Sequence, residues 1–91
     1  MSAIRLATWN VNSIKVRLPH LLQWLAAQDA MKAPIDALCL QELKLTEDKF
    51  PFAELEAAGY YSLVAGQKTY NGVAILLRKA SLAAIAQDVN T

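Results

Sequence analysis

An α/β fold with the element order β-α-β-α-β-β is what the sequence predicts, and three observations predict it. Two short apolar runs, Ile4–Trp9 and Ala37–Gln41, each stop at a single polar residue, Asn10 and Glu42. Between them Leu18, Leu21, Leu22 and Leu25 fall at i, i+3, i+4 and i+7, the stripe of an amphipathic helix. After them, two further β-rich runs flank an Asn71-Gly72 step, the dipeptide favoured in tight hairpin turns. Strands alternating with a helical pattern describe a layered α/β arrangement.

Each element follows in order. Residues 4–10 read as a strand, broken by Asn12-Ser13, with Ser13 a candidate helix cap. The helix is expected from Val16 to Gln28, with Pro19 in its first turn, where a missing N–H costs least, and Pro34 past its end. Asp36 to Gln41 is a second strand, apolar on both faces, as in a strand covered on both sides. A polar loop follows from Leu43 to Lys49, with Thr46 or Asp48 as the next candidate cap. Phe52, Leu55 and Glu56 mark a short helix that Gly59 ends. Tyr60–Ala65 and Val73–Leu77 are the third and fourth strands, antiparallel across the turn-rich loop 66–72.

Ninety-one residues make one small domain at most. Apolar residues are 55%, against roughly 45–50% in an ordinary soluble domain, which fits sheet faces that expect more cover than this chain supplies. The formal net charge of +1 argues neither for nor against nucleic acid, because a local basic rim binds phosphate on a neutral chain. Cys39 is the single cysteine, so no intrachain disulfide forms. No secretory leader is evident, and no apolar run approaches the roughly 20 residues of a membrane helix. A cytoplasmic protein with no membrane partner is the expectation.

The chemistry gathers at the strand ends, where ligands collect in open α/β sheets. Glu42 directly follows an uncharged strand. Mg²⁺ takes oxygen ligands, commonly one or two carboxylates with water and phosphate completing its shell. Glu42 supplies such a carboxylate, and the Asn10 amide donates to a phosphate oxygen or orients a neighbouring ligand. The competing reading is a solvated strand-end glutamate and a turn-forming asparagine, since strand ends are commonly polar.

Three blocks, in order, carry a resemblance that weighs against that bland reading. They are Trp9-Asn10-Val11-Asn12-Ser13-Ile14-Lys15, then Leu40-Gln41-Glu42-Leu43-Lys44, then Gly66-Gln67-Lys68-Thr69-Tyr70-Asn71-Gly72-Val73-Ala74-Ile75-Leu76. Together they resemble the exonuclease III type of abasic-site endonuclease, within the endonuclease/exonuclease/phosphatase superfamily. The likeness spans residues 4–79. It implies the N-terminal portion of a four-layer α/β sandwich, two mixed sheets flanked by helices, with residues 1–91 a partial domain. It implies that Asn10 and Glu42 are catalytic and hold a Mg²⁺ or Mn²⁺ ion, with Asn12 close to it. Lys15, Lys44, Lys68, Tyr70 and Asn71 are the implied DNA contacts. The implied partner is double-stranded DNA with abasic sites or 3′ ends, cut 5′ to the abasic site or trimmed from the 3′ end. Leu43 stands where the family commonly has threonine, and Ser13 where it often has glycine.

The family's remaining groups, an Asp-x-Asn pair, a catalytic aspartate or tyrosine and an Asp-His pair, lie farther along the chain in relatives. The 91 residues alone are therefore expected to be inactive and to need the missing C-terminal half as partner. Asp88-Val89-Asn90 has the right letters but follows the fourth strand too soon. His20 reads as a helix-surface residue, Cys39 as a small core residue, and Trp9 and Trp24 as core. Two rivals stand beside the nuclease reading. One is a superfamily phosphatase acting on lipid or inositol phosphates. The other is a non-catalytic chain binding nucleic acid or a protein partner through the same scaffold.

Overall fold

The structure, a computed structural model, describes residues 4–32, 34–66 and 72–90. The elements are β1 (Leu6–Asn10), α1 (Ile14–Asp29), β2 (Ala37–Gln41), a single 3-10 turn (Glu47–Lys49), α2 (Phe52–Ala57), β3 (Tyr60–Gly66), β4 (Gly72–Arg78) and α3 (Lys79–Asn90). The four strands form one mixed sheet in the order β1-β2-β4-β3. β1 and β2 are parallel, with Asn10 opposite Gln41. β4 runs antiparallel to both β2 and β3. The predicted hairpin therefore forms, and its second strand, not its first, lies beside β2.

Strand alternation sorts the side chains onto two unlike faces. Leu38, Leu40, Ala74, Leu76 and Tyr60 point to one face and are buried with Leu21 and Leu25 of α1 and Leu55 of α2. Leu18 and Leu22 pack partly buried against this core, so the leucine stripe faces the sheet as its spacing predicts. The other face stays open among the described residues. Leu6 is 74% exposed and Leu63 59%, and Tyr61, Val73 and Ile75 are exposed beside them. The expectation of a β2 covered on both sides is thus met on one side only. One mixed sheet with α1 and α2 on one face is the N-terminal portion of the sandwich that the resemblance implies.

Several local expectations are corrected. α1 begins at Ile14 rather than Val16, so Pro19 lies inside the helix rather than in its first turn. The earlier start follows from Ile14, which is fully buried and whose N–H donates to the Leu43 carbonyl at 3.1 Å. Ser13 occupies the cap position, but its side chain makes no capping bond. Thr46 likewise does not cap a backbone N–H. Its hydroxyl bonds the Asp48 carboxylate, which lies below its ordinary value chiefly for that reason. Residues 79–90 form a further helix, α3, and Asp88-Val89-Asn90 lies in its last turn, not at a strand end. Trp24 is an exposed residue, not a core one. Cys39 is only half-buried and falls in the row that faces the open side. Among the described residues, no helix is long and apolar enough to cross a membrane.

The end of the sheet remote from Asn10 is tied by Asp36. Its carboxylate accepts from the Arg5 N–H at 2.7 Å and from the Ser81 hydroxyl. Its backbone N–H donates to the Arg5 carbonyl at 2.8 Å, and its carbonyl accepts from the Arg78 N–H at 2.9 Å. One residue thereby joins β1, β2, β4 and α3. The Ser81 hydroxyl, then the Arg5 amide, hold the Asp36 carboxyl below its ordinary value.

Candidate active site at the ends of the parallel strands

Beyond β1 and β2 the two chains continue side by side. Val11 N–H donates to the Gln41 carbonyl at 3.0 Å, Ser13 N–H to the Glu42 carbonyl at 2.9 Å, and Ile14 N–H to the Leu43 carbonyl at 3.1 Å. Val11, Ile14 and Leu43 are fully buried. These three apolar pegs sit between the residues that turn outward, Asn10, Asn12 and Lys44, with Glu42 half-buried among them. Alternation of peg and polar residue converts two adjacent strand ends into a cluster of polar side chains over a fixed base.

The backbone of this base is strained. Among the described residues, the non-glycine residues at positive φ are Asn12 (46°), Ser13 (92°), Glu42 (56°) and Lys44 (58°), all in these two loops. Asn tolerates the left-handed region, whereas Glu and Lys enter it at a cost. Strain of this kind concentrates at functional sites, where the surrounding structure over-determines it. Here the restraint extends to β4. Leu43 N–H donates to the Gly72 carbonyl at 3.2 Å. Gly72 has φ +122°, and a Cβ there would meet the Leu43 Cβ at 3.4 Å. Leu43, which departs from the family's usual threonine, is accounted for as a core peg.

The polar side chains form a relay. The Asn10 amide Nδ2 donates to Glu42 Oε2. The Asn10 Oδ1 accepts from the Asn12 N–H at 3.1 Å, which fixes which way the amide points. The Asn12 Oδ1 accepts from the Lys44 ammonium. Beside Asn10, the Gln41 amide donates to the Thr8 hydroxyl at 3.0 Å. The structure therefore brings Asn10 and Glu42 together, as their strand-end placement predicts, with Asn12 and Lys44 beside them. Lys15 and Lys44 line one groove at the start of α1. Lys68, Tyr70 and Asn71 lie outside the described residues.

Glu42 and Asn10 offer a carboxylate and an amide oxygen, and no group of three or more His, Cys, Asp or Glu side chains capable of holding a metal occurs among the described residues. That donor set is too small for a cation caged by protein alone. It fits Mg²⁺, which is often held by one or two carboxylates with water and substrate phosphate as its other ligands. The orienting role of Asn12 and the pegging role of Leu43 had no distinct signal in the sequence, because both depend on the ladder between the two loops.

A family model described as the endonuclease/exonuclease/phosphatase family matches residues 7–89. The exodeoxyribonuclease III of Haemophilus influenzae is 32% identical over 76 residues, covering 84% of this chain and 27% of its own length. The mouse (Mus musculus) DNA-(apurinic or apyrimidinic site) endonuclease 2 is 31% identical, covering 93% of this chain and 18% of its own length. Two solved structures share the fold. A 3′ phosphatase of Neisseria bound to a product DNA hairpin has a TM-score of 0.71 and 53% identity, over 84% of this chain and 28% of that one. An AP endonuclease of Archaeoglobus fulgidus has a TM-score of 0.72 and 40% identity, over 82% and 27%. This chain thus spans 18–28% of the length of these relatives. With the family model matched along nearly all of its residues, the chain belongs to the endonuclease/exonuclease/phosphatase family.

Proposed function

We propose that residues 1–91 supply the Asn10–Glu42 half of a metal-dependent DNA-repair phosphodiesterase, cutting the backbone 5′ to abasic sites and trimming 3′ ends. The observation that carries this reading is the hydrogen bond from Asn10 to Glu42 across adjacent parallel strand ends, held by strained loops. Glu42 would hold a Mg²⁺ or Mn²⁺ ion, whose chemistry there is to offset charge on the phosphate and its leaving oxygen. Asn10 keeps the Glu42 carboxylate in one orientation, and Asn12 keeps the Asn10 amide from flipping. The names of the relatives support DNA as the substrate class.

The water-activating groups that the family uses are not among these side chains, so the chain by itself is proposed to be inactive. The partial domain would be completed by a C-terminal portion. The test mixes the chain with the complementary C-terminal portion of a family nuclease and an abasic duplex. Nicking is expected in the mixture with Mg²⁺ and not with either piece alone. Glu42→Gln should lower it at limiting Mg²⁺ by more than the roughly 10–100-fold cost of losing an outer-shell partner. Equal nicking by the variant would overturn the metal assignment.

A further inference from the structure

The strand registers order the open face of the sheet into three rows of four side chains. Thr8, Cys39, Ile75 and Leu63 make the middle row. The rows beside it run from Leu6 to Tyr61 and from Asn10 to Ala65. None of these twelve positions carries a charged side chain. The polar groups are satisfied locally. The Gln41 amide donates to the Thr8 hydroxyl at 3.0 Å, and the Asn10 side chain bonds Glu42 and the Asn12 N–H. At the rim the Lys79 ammonium stands over the Tyr61 ring, 5.1 Å from its centre. Of the ten large apolar side chains left exposed among the described residues, five belong to this face: Leu6, Tyr61, Leu63, Val73 and Ile75. A contiguous apolar surface of this kind marks an interaction site. The chain exposes 6006 Å², whereas a self-contained protein of its 10.0 kDa exposes about 5200 Å². The excess of about 800 Å² equals one partner's share of a standard protein interface, also about 800 Å².

We propose that the 91-residue chain forms a two-fold dimer in which the open faces of two copies pack on each other. A second copy fits for three reasons. The excess area is what one side of such a contact removes from water. A face without charge is complementary to itself, and a formal net charge of +1 per chain adds little repulsion between copies. The paired Thr8 and Gln41 enter the contact without losing their hydrogen bond to each other. Two sheets stacked in this way lie about 10 Å apart, with their side chains interdigitated. Because the symmetry is two-fold, the same patch serves both copies and the assembly closes at two. Cys39 and Ile75 are the inner pair of the middle row, so any two-fold axis through the centre of the face puts both inside the contact. The dimer goes beyond the nuclease reading and does not rest on it.

Sedimentation equilibrium of the full chain, under reducing conditions, is expected to give about twice the 10.0 kDa monomer mass and to fall to the monomer on dilution. Hydrophobic-dye binding should rise on the same dilution, as the face is uncovered. Ile75→Lys should weaken the dimer by at least about 100-fold, because each copy then buries an unpaired ammonium. Val16→Lys should leave it unchanged, since Val16 is 60% exposed on α1, away from this face. The unsubstituted chain carries a second readout that needs no folded variant. Cys39 is half-buried in the middle row, so its reaction with a maleimide should slow as the dimer fraction rises. A monomer at every concentration overturns the proposal. So do species larger than a dimer, which would point to open-ended pairing at the free edges of β1 and β3. A dimer whose Cys39 labels at the monomer's rate overturns it too, because the contact then lies elsewhere. A chain that stays monomeric, and protects Cys39 only with the complementary C-terminal portion of a family nuclease, overturns the dimer and leaves the nuclease reading standing.

Discussion

Asn10→Asp puts a second carboxylate against Glu42, and its consequence can be worked out from the contact. The substitution removes the amide hydrogen that Glu42 accepts and sets two negative charges face to face. A hydrogen bond to a charged group contributes about 1.5–3 kcal/mol, and Asn10→Ala loses that alone. Two unit charges about 4 Å apart repel by about 1 kcal/mol in water and about 4 kcal/mol near a protein surface. Asn10 is exposed and Glu42 half-buried, so the lower part of that range applies. Asn10→Asp should therefore be less stable than Asn10→Ala by about 1–2 kcal/mol at neutral pH. Urea unfolding measures the difference. Mg²⁺ should remove it, because two carboxylates bind a hard cation better than one, and a ligand at 100 times its Kd stabilises by about 2.7 kcal/mol. Equal stability of the two variants would show that side chains 10 and 42 do not face each other. A gap that Mg²⁺ leaves intact would refute the metal site while preserving the contact.

Three further outcomes follow from particular residues. Ser13→Gly should raise the urea midpoint by an amount equivalent to about 0.5–2 kcal/mol, because φ 92° is strained for any residue with a Cβ and the hydroxyl caps nothing, whereas Ser13→Ala should change little; a loss of stability in Ser13→Gly would show the strain to be absent. Asp36 has a folded carboxyl below its ordinary 3.8, so its contribution is present above that pH and is lost as the pH falls through the folded value. Asp36→Asn should flatten the acid limb of the stability profile, and an unchanged limb would contradict the Ser81 and Arg5 contacts. The open sheet face should bind a hydrophobic dye, and Leu6→Lys with Leu63→Lys should abolish that signal while the helical circular dichroism stays constant; undiminished dye binding would place the apolar surface elsewhere.

Much of the fold was legible because its signals are periodic. The leucine stripe of α1 and the apolar runs of β1 and β2 each report a local geometry that neighbours did not override. α3 was missed because Lys79 to Asn90 follows β4 without a break, and neither a cap residue nor a glycine marks its start. Cys39 reads as core from its apolar strand but lies on the sheet face that α1 and α2 leave open, and Trp24 reads as core from its ring but stands off the face of α1 that carries Leu21 and Leu25. At the site, Asn10 and Glu42 were visible as polar residues ending apolar runs, and Lys44 through the resemblance.

The strain in the two loops and the pegs beneath them are best understood together. A left-handed residue with a Cβ costs about 1–2 kcal/mol, and Glu42, Lys44, Asn12 and Ser13 all occupy positive φ. Burying an aliphatic side chain contributes about 1.5–3 kcal/mol, and Val11, Ile14 and Leu43 are wholly buried directly between those residues. The two sets of terms are of the same size, so each loop keeps a conformation that it would not hold if detached from the core. The consequence is directional. With Val11, Ile14 and Leu43 pointing inward and the parallel ladder extended by three hydrogen bonds, the outward positions have no freedom of register. Asn10 must meet Glu42, and Lys44 must meet Asn12. The core of this chain thereby determines not only that polar groups lie at the strand ends but which oxygen faces which nitrogen.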